Sequence, residues 1–322
     1  MQTIQAISPA KLNLTFDIKG LMSDGYHEVE TLLQSVDLQD ELVFTLSPAD
    51  QLNVEISLDG GGSSEFPLND TNLIAKAAKL FVQESGVKPF GLHVAVTKFI
   101  PIGAGLAGGS ANGAATLVAL NYAFDSPFGP QDLLSLGSRL GADVPFCIQG
   151  GTAIGTGRGD ILQAIACDTT LFFCIVKPRK LSVSTPWAYG IYDEFTGKVK
   201  RPHLQNAANS MCKADLDQAV KSFGNVFEPP IFEKMPELID LQKSLIELGC
   251  WYCQLSGSGP ALFAIVPDRE MAHYVRRKVL HNDDSGFDYF SAQPTAEFGP
   301  PFEFHIAQSV SHGARVVDAS AR

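Results

Sequence analysis

The residues best able to do chemistry together in this sequence are a glycine-rich loop, a carboxylate, a lysine and a tyrosine–histidine pair. The run from Pro101 to Gly113 holds glycines at 103, 105, 108, 109 and 113, between an alternating apolar run at 91–100 and an alanine- and leucine-rich run at 114–120. The first flank predicts a strand and the second a helix. Bare backbone between them suits an oligophosphate: glycine lets the chain approach closely, and the first amides of a helix lack intrahelical acceptors. Asp143 lies among small and apolar residues at an element boundary, where an unpartnered charge is costly. It either caps a neighbouring helix or is held for chemistry. Lys11 and Asn13 point the same way on an alternating run, which is either a reactive face or the solvated face of an edge strand. Tyr26 and His27 follow the turn signal Ser23, Asp24, Gly25 and offer a flat stacking face beside a donor/acceptor, which suits a planar heterocycle.

Gly103, Gly105 and Gly108 satisfy G-x-G-x-x-G, with Asp125 at roughly the distance of a ribose-binding acid. That match is weak, because Asp125 begins a Pro/Gly turn at 125–130 where a dinucleotide fold needs a second strand. No Lys-Ser or Lys-Thr closes the run, which excludes a Walker loop. What remains is a loop that binds phosphate through backbone amides without a lysine of its own.

Elements to position these groups are legible along the chain. Strands are expected at 3–7, 8–18, 41–46, 52–57 and 171–176. Helices are expected at 73–83 capped by Asp70, Thr71 and Asn72, at 131–140, from Pro186, at 213–222, around 225–228, at 236–248 and near 268–280. A second glycine loop, Ser256 to Pro260, precedes a buried strand. Residues 193–204 read as a polar loop, and the tail beyond about 292 has little periodicity. The division expected is an N-terminal lobe at 1–165, a C-terminal lobe at 166–295 and a poorly ordered tail at 296–322.

The 322 residues, 45% hydrophobic and 18% charged, suit a soluble protein with one large or two moderate cores, and a net charge of −11 argues against a nucleic-acid surface. Six cysteines scattered in apolar runs predict reduced thiols in a cytoplasmic protein; the single C-x-x-C at Cys250 and Cys253 reads as structural. Neither a signal peptide nor a membrane span is expected.

Taken together, three segments in order resemble the GHMP kinase superfamily: Pro9 to Leu14, Pro101 to Ala115, and Leu255 to Pro260. Asp24 to His27, Leu140 to Phe146, Gly157 to Asp160 and Ser184 to Tyr189 narrow the resemblance to its cytidine-diphosphate-alcohol kinases. The resemblance implies a two-lobe α+β fold with the active site in the cleft between lobes, ATP as co-substrate with Mg²⁺, and a small-molecule alcohol as acceptor. No nucleic acid or membrane partner is implied, and the protein would be a monomer or weak homodimer. By position, Asp143 would be the catalytic base and Lys11 its charge partner. Asn13, Tyr26, His27 and Thr185 would bind substrate. Asn72 and Lys98 would lie near the adenine, and Pro101, Gly103, Ala104, Gly105, Leu106, Ala107, Gly108, Gly109, Ser110 and Asn112 would hold the triphosphate. No metal-ligand cluster stands out. Within the loop, Ala107 stands where relatives carry glycine and Ala111 where they carry serine. The first change costs strain if its φ is left-handed, and the second removes a hydroxyl; a weakly active or non-catalytic nucleotide-binding homologue, or another GHMP small-molecule kinase, is the alternative.

Overall fold

A computed structural model describes residues 2–59, 65–281 and 301–321. The chain opens with two long antiparallel strands, β1 (Gln2–Leu21) and β2 (His27–Pro48), paired from Gln2 opposite Leu46 to Leu21 opposite His27. The expected break near Pro9 is a register shift between Pro9 and Ala10 rather than a strand end; proline has no N–H for the ladder, and the chain irregularity absorbs its loss. Then follow β3 (Asn53–Leu58), α1 (Leu73–Ser85), β4 (Phe90–Thr97), α2 (Gly108–Ala123), α3 (Pro130–Leu140), α4 (Val144–Gln149), β5 (Thr152–Thr156) and β6 (Ile161–Ile165). The later part comprises β7 (Phe172–Pro178), α5 (Thr185–Glu194), α6 (Leu204–Cys212), α7 (Leu216–Ser222), β8 (Gly224–Asn225), α8 (Glu228–Lys234), α9 (Glu237–Glu247), β9 (Tyr252–Leu255), β10 (Leu262–Val266), α10 (Arg269–His281), β11 (Phe302–Gln308) and β12 (Arg315–Ala321).

Two sheets result. The larger runs β12-β1-β2-β4-β3, with β5 pairing β2 and β6, and with β8 pairing β1; the smaller runs β11-β7-β10-β9. The fold is α+β with two lobes, as expected. Helix α2 is apolar nearly all round, and its residues 111–117 are all buried between the large sheet and α1, α3 and α4. A helix of that pattern is stable only inside a core. The second core gathers β7, β9, β10 and β11 under α5, α8, α9 and α10, and includes the buried Cys250 and Cys253. Among the described residues no helix is long and apolar enough to cross a membrane.

The tail departs from expectation. Residues 302–308 and 315–321 are strands, β11 paired with β7 and β12 with β1, so the chain's end closes an edge of each sheet. Residues 296–300 lie outside the described residues. Local sequence is a poor guide here because these strands are held by ladder bonds to partners more than a hundred residues away. The expected loop at 193–204 ends in α6, which packs beside α7, and the helix expected around 225–228 is the two-residue β8 followed by α8.

Candidate active site

The glycine loop crosses from β4 to α2, and Gly103 and Gly105 take φ of 62° and 76°. A Cβ on Gly105 would collide with the Ser256 carbonyl of the second glycine loop, so only glycine allows the two loops to meet. They are tied by Ala261 N donating to Ala104 O (3.3 Å) and Ser256 Oγ donating to Gly105 O (3.2 Å), while Lys11 N donates to Leu106 O (3.2 Å) from β1. Helix α2 starts at Gly108 with no side-chain cap, which leaves its first amides facing an open cleft of about 1010 Å³. Ala107 lies in the left-handed region, at φ 60° and ψ 27°. Ala111 is fully buried in the core and does not line the cleft, so a hydroxyl there is no cleft group.

Lys11 and Asn13 sit on β1 beyond its ladder with β12, paired on one side with Ser35 and Leu33 of β2, and both are buried, so this stretch is not a solvated edge. Lys11 Nζ donates to Asn13 Oδ1 (2.5 Å) and stands 3.6 Å from Asp143 Oδ1. Asn13 Nδ2 in turn donates to Thr31 Oγ1 (2.8 Å), whose hydroxyl donates to Thr15 O (2.6 Å). Lys11 lines the cleft, whereas Asn13 is buried behind it. Asp143 holds the N-terminal position of α4, but its carboxylate makes no cap bond and stays 42% exposed toward the cleft. A buried cation thus faces an accessible anion where the two glycine loops converge.

Beneath the first glycine loop lies a buried network that the sequence did not disclose. Lys98 Nζ is bonded to Asp40 Oδ2, and Asp40 Oδ1 accepts from Phe99 N and Ile100 N, both at 2.9 Å. With its amide oriented to donate, Asn112 reaches Asp40 Oδ2 (2.8 Å) and Gly108 O (3.2 Å). Burial outweighs the Asp40 charge and holds the Lys98 ammonium below the usual lysine range. Asn112 is fully buried and does not line the cleft, so its side chain braces the loop from behind. Asn72 lines the cleft while its Oδ1 accepts from Ile74 N (2.9 Å) as the cap of α1.

At the cleft's other end, the His27 ring stacks on Tyr189 at 4.5 Å and 17°, and its Nε2 meets Asp193 Oδ1 at 2.8 Å. Tyr26 is largely exposed, with the Arg158 guanidinium 5.4 Å above its ring; Arg158 also donates to Asp160 Oδ2 (2.7 Å) and Ser138 O (3.2 Å). Thr185 Oγ1 lies 3.5 Å from Ser258 Oγ of the second loop. That loop is braced by Asn225 Nδ2, which donates to Leu255 O (2.9 Å) and Gly257 O (2.8 Å), and by Glu228 Oε1, which accepts from Leu255 N (2.9 Å). Asp40, Thr31, Asp193, Asn225 and Glu228 carried no sequence signal, since each is a polar residue whose partner is distant in sequence. The only hint for Asp40 was a carboxylate between two apolar strand runs.

A cleft walled by two glycine loops, with a buried lysine facing a carboxylate, defines a small-molecule kinase of the GHMP class. Residues 72–151 match the family model for the GHMP kinases N terminal domain, and residues 204–282 match that for the GHMP kinases C terminal. A 4-diphosphocytidyl-2-C-methyl-D-erythritol kinase from Pelotomaculum thermopropionicum is 36% identical over 281 residues, covering 87% of this chain and 95% of the relative. One from Nostoc punctiforme is 30% identical over 335 residues, covering 99% and 100%. A crystal structure of 4-(cytidine 5'-diphospho)-2C-methyl-D-erythritol kinase superposes with a TM-score of 0.71 at 26% identity, covering 94% of this chain and 99% of that one. The homoserine kinase of Cytophaga hutchinsonii, at 20% identity over 98% of this chain and 97% of its own, shares the fold with the same TM-score. The chain belongs to the 4-diphosphocytidyl-2-C-methyl-D-erythritol kinase family.

Proposed function

We propose that the protein transfers the γ-phosphoryl group of ATP to the 2-hydroxyl of 4-diphosphocytidyl-2-C-methyl-D-erythritol, releasing ADP. The observation that carries this reading is the Lys11–Asp143 pair, 3.6 Å apart at the junction of the two glycine loops, in one cleft with the His27–Tyr189 stack. The substrate hydroxyl oxygen attacks the γ-phosphorus, the bond to the β,γ-bridging oxygen breaks, and the hydroxyl proton passes to the Asp143 carboxylate. Lys11 offsets charge on the transferring group and pairs with the Asp143 carboxylate. Asn13, bonded to Lys11 and not to the cleft, orients the ammonium. The free amides at the start of α2, with Gly103 to Ser110, hold the triphosphate, and Asn112 and the Lys98–Asp40 pair keep that loop in shape. Asn72 and Lys98 mark the adenine side. His27 and Tyr26 mark the cytosine side, joined by Thr185.

Mg²⁺ would accompany the nucleotide. Among the described residues no cluster of three or more His, Cys, Asp or Glu side chains is placed to hold a metal. Asp143 and Ser110 are oxygen donors on the cleft wall, a sparse set that fits a hard cation carried mainly by phosphate oxygens. Bound there, the ion supplies charge neutralisation to the triphosphate.

The test is ADP release from ATP against a panel of alcohols. Turnover of the diphosphocytidyl substrate is expected; turnover of homoserine or mevalonate in its place would overturn the assignment.

A further inference from the structure

Asp193 is the one partner in the cytosine corner for which neither the sequence nor the proposed mechanism has a use. It lies four residues after Tyr189 on α5, so both side chains project from one face of that helix. Together they hold His27, which comes from the start of β2, 166 residues away. Tyr189 fixes the ring plane by stacking, and Asp193 Oδ1 takes the Nε2 edge at 2.8 Å. The His27 side chain is 13% exposed, and among the described residues none is bonded to Nδ1. A neutral imidazole that gives its only proton to a carboxylate through Nε2 must present Nδ1 as an acceptor.

We propose that Asp193 is a specificity-determining positioning residue: it sets the His27 tautomer so that the cleft accepts a 4-aminopyrimidine and rejects a 4-oxopyrimidine. The proposal rests on the reading that the cleft takes a cytidine-diphosphate alcohol. The exocyclic amine of cytosine donates to Nδ1. The O4 of uracil would bring a second lone pair against it, leaving two acceptors face to face and unpaired. A site built around one hydrogen bond discriminates strongly against the analogue that cannot make it, because the buried group then loses its partner.

The experiment compares the cytidine- and uridine-diphosphate forms of the methylerythritol substrate in steady-state ADP release by the full chain. The unaltered protein should prefer the cytidine form by at least about 100-fold in kcat/KM. Asp193→Ala should raise KM for the cytidine form about tenfold, lower kcat far less, and narrow the preference about tenfold. Asp193→Asn, whose Oδ1 can still accept the Nε2 proton, should restore most of the KM and preference. Imidazole ¹⁵N shifts of His27 should report the Nε2–H tautomer in the unaltered protein and in Asp193→Asn, and a mixture in Asp193→Ala. Asp193→Ala with unchanged KM and preference overturns the inference alone, as does Asp193→Asn behaving like Asp193→Ala. An unaltered protein that does not turn over the cytidine form overturns the proposed function and this inference with it.

Discussion

The Lys11 ammonium lies between two oxygens, 2.5 Å from Asn13 Oδ1 and 3.6 Å from Asp143 Oδ1. The shorter contact is buried and leads back through Thr31 to the β1 backbone, whereas the longer one opens on the cleft. Lys11 is thus anchored from behind and leaves Asp143 the freer partner, able to meet a proton-bearing substrate oxygen.

Removing the base from that pair should expose its share of the rate. Asp143→Asn is expected to lower kcat by about 10²- to 10⁴-fold, the range for a positioned general base. ATP affinity, read by calorimetry, should change much less. An unchanged kcat would remove Asp143 from the mechanism.

The support under the first glycine loop should show in stability. Asp40 is fully buried and pairs with Lys98, whose side chain is mostly buried at the cleft wall. Asp40→Ala leaves that ammonium uncompensated, and urea denaturation should show a loss of about 3–5 kcal/mol. A loss well below this range would mean that the charge pair does not hold the loop.

Ala107 occupies a left-handed conformation at φ 60°, which costs a residue with a Cβ about 1–2 kcal/mol. Glycine relieves that strain but adds freedom to the unfolded chain worth about 0.5–1 kcal/mol. Ala107→Gly should therefore stabilise by about 0.5–1 kcal/mol, a rise of about 1 °C in Tm, and should not weaken ATP binding. A fall in Tm would show that the loop relaxes around alanine.

Glu228 ties stability to pH. Burial pushes its carboxyl from 4.5 up to about 7, against the hydrogen bonds from Leu255 and Gln242 that favour the anion. The folded state then binds its proton more tightly than the unfolded chain does, so this group's penalty is absent below pH 4.5. It grows as pH rises through that interval and is complete above about 7, on the order of 3 kcal/mol. Glu228→Gln keeps an oxygen for Leu255 N and should be more stable than the unaltered protein at about pH 8, with the gap closing near pH 4.5. A gap that does not vary with pH would refute the assignment.

Much of the site was legible before folding was considered. The glycine loop, the lone lysine and carboxylate, and the tyrosine–histidine pair carry chemistry in their residue types, and strand alternation put Lys11 and Asn13 on one face. Ala107 could be marked as a departure that costs strain only if its φ is left-handed, and the structure supplies that φ, 60°. Other features could not be read along the chain, because they depend on which segments meet. Asn13 and Asn112 looked like ligand contacts, yet the fold turns both inward, one to orient Lys11 and the other to brace Asp40. Asp193, Asn225 and Glu228 became site residues only through partners brought from elsewhere. The last strands lacked local signal and were fixed by pairing with β7 and β1. Residue type and spacing determine which chemistry is available; the tertiary structure decides which polar groups face the cleft and which are buried, because a buried polar group must find its hydrogen-bond partner wherever the fold provides one.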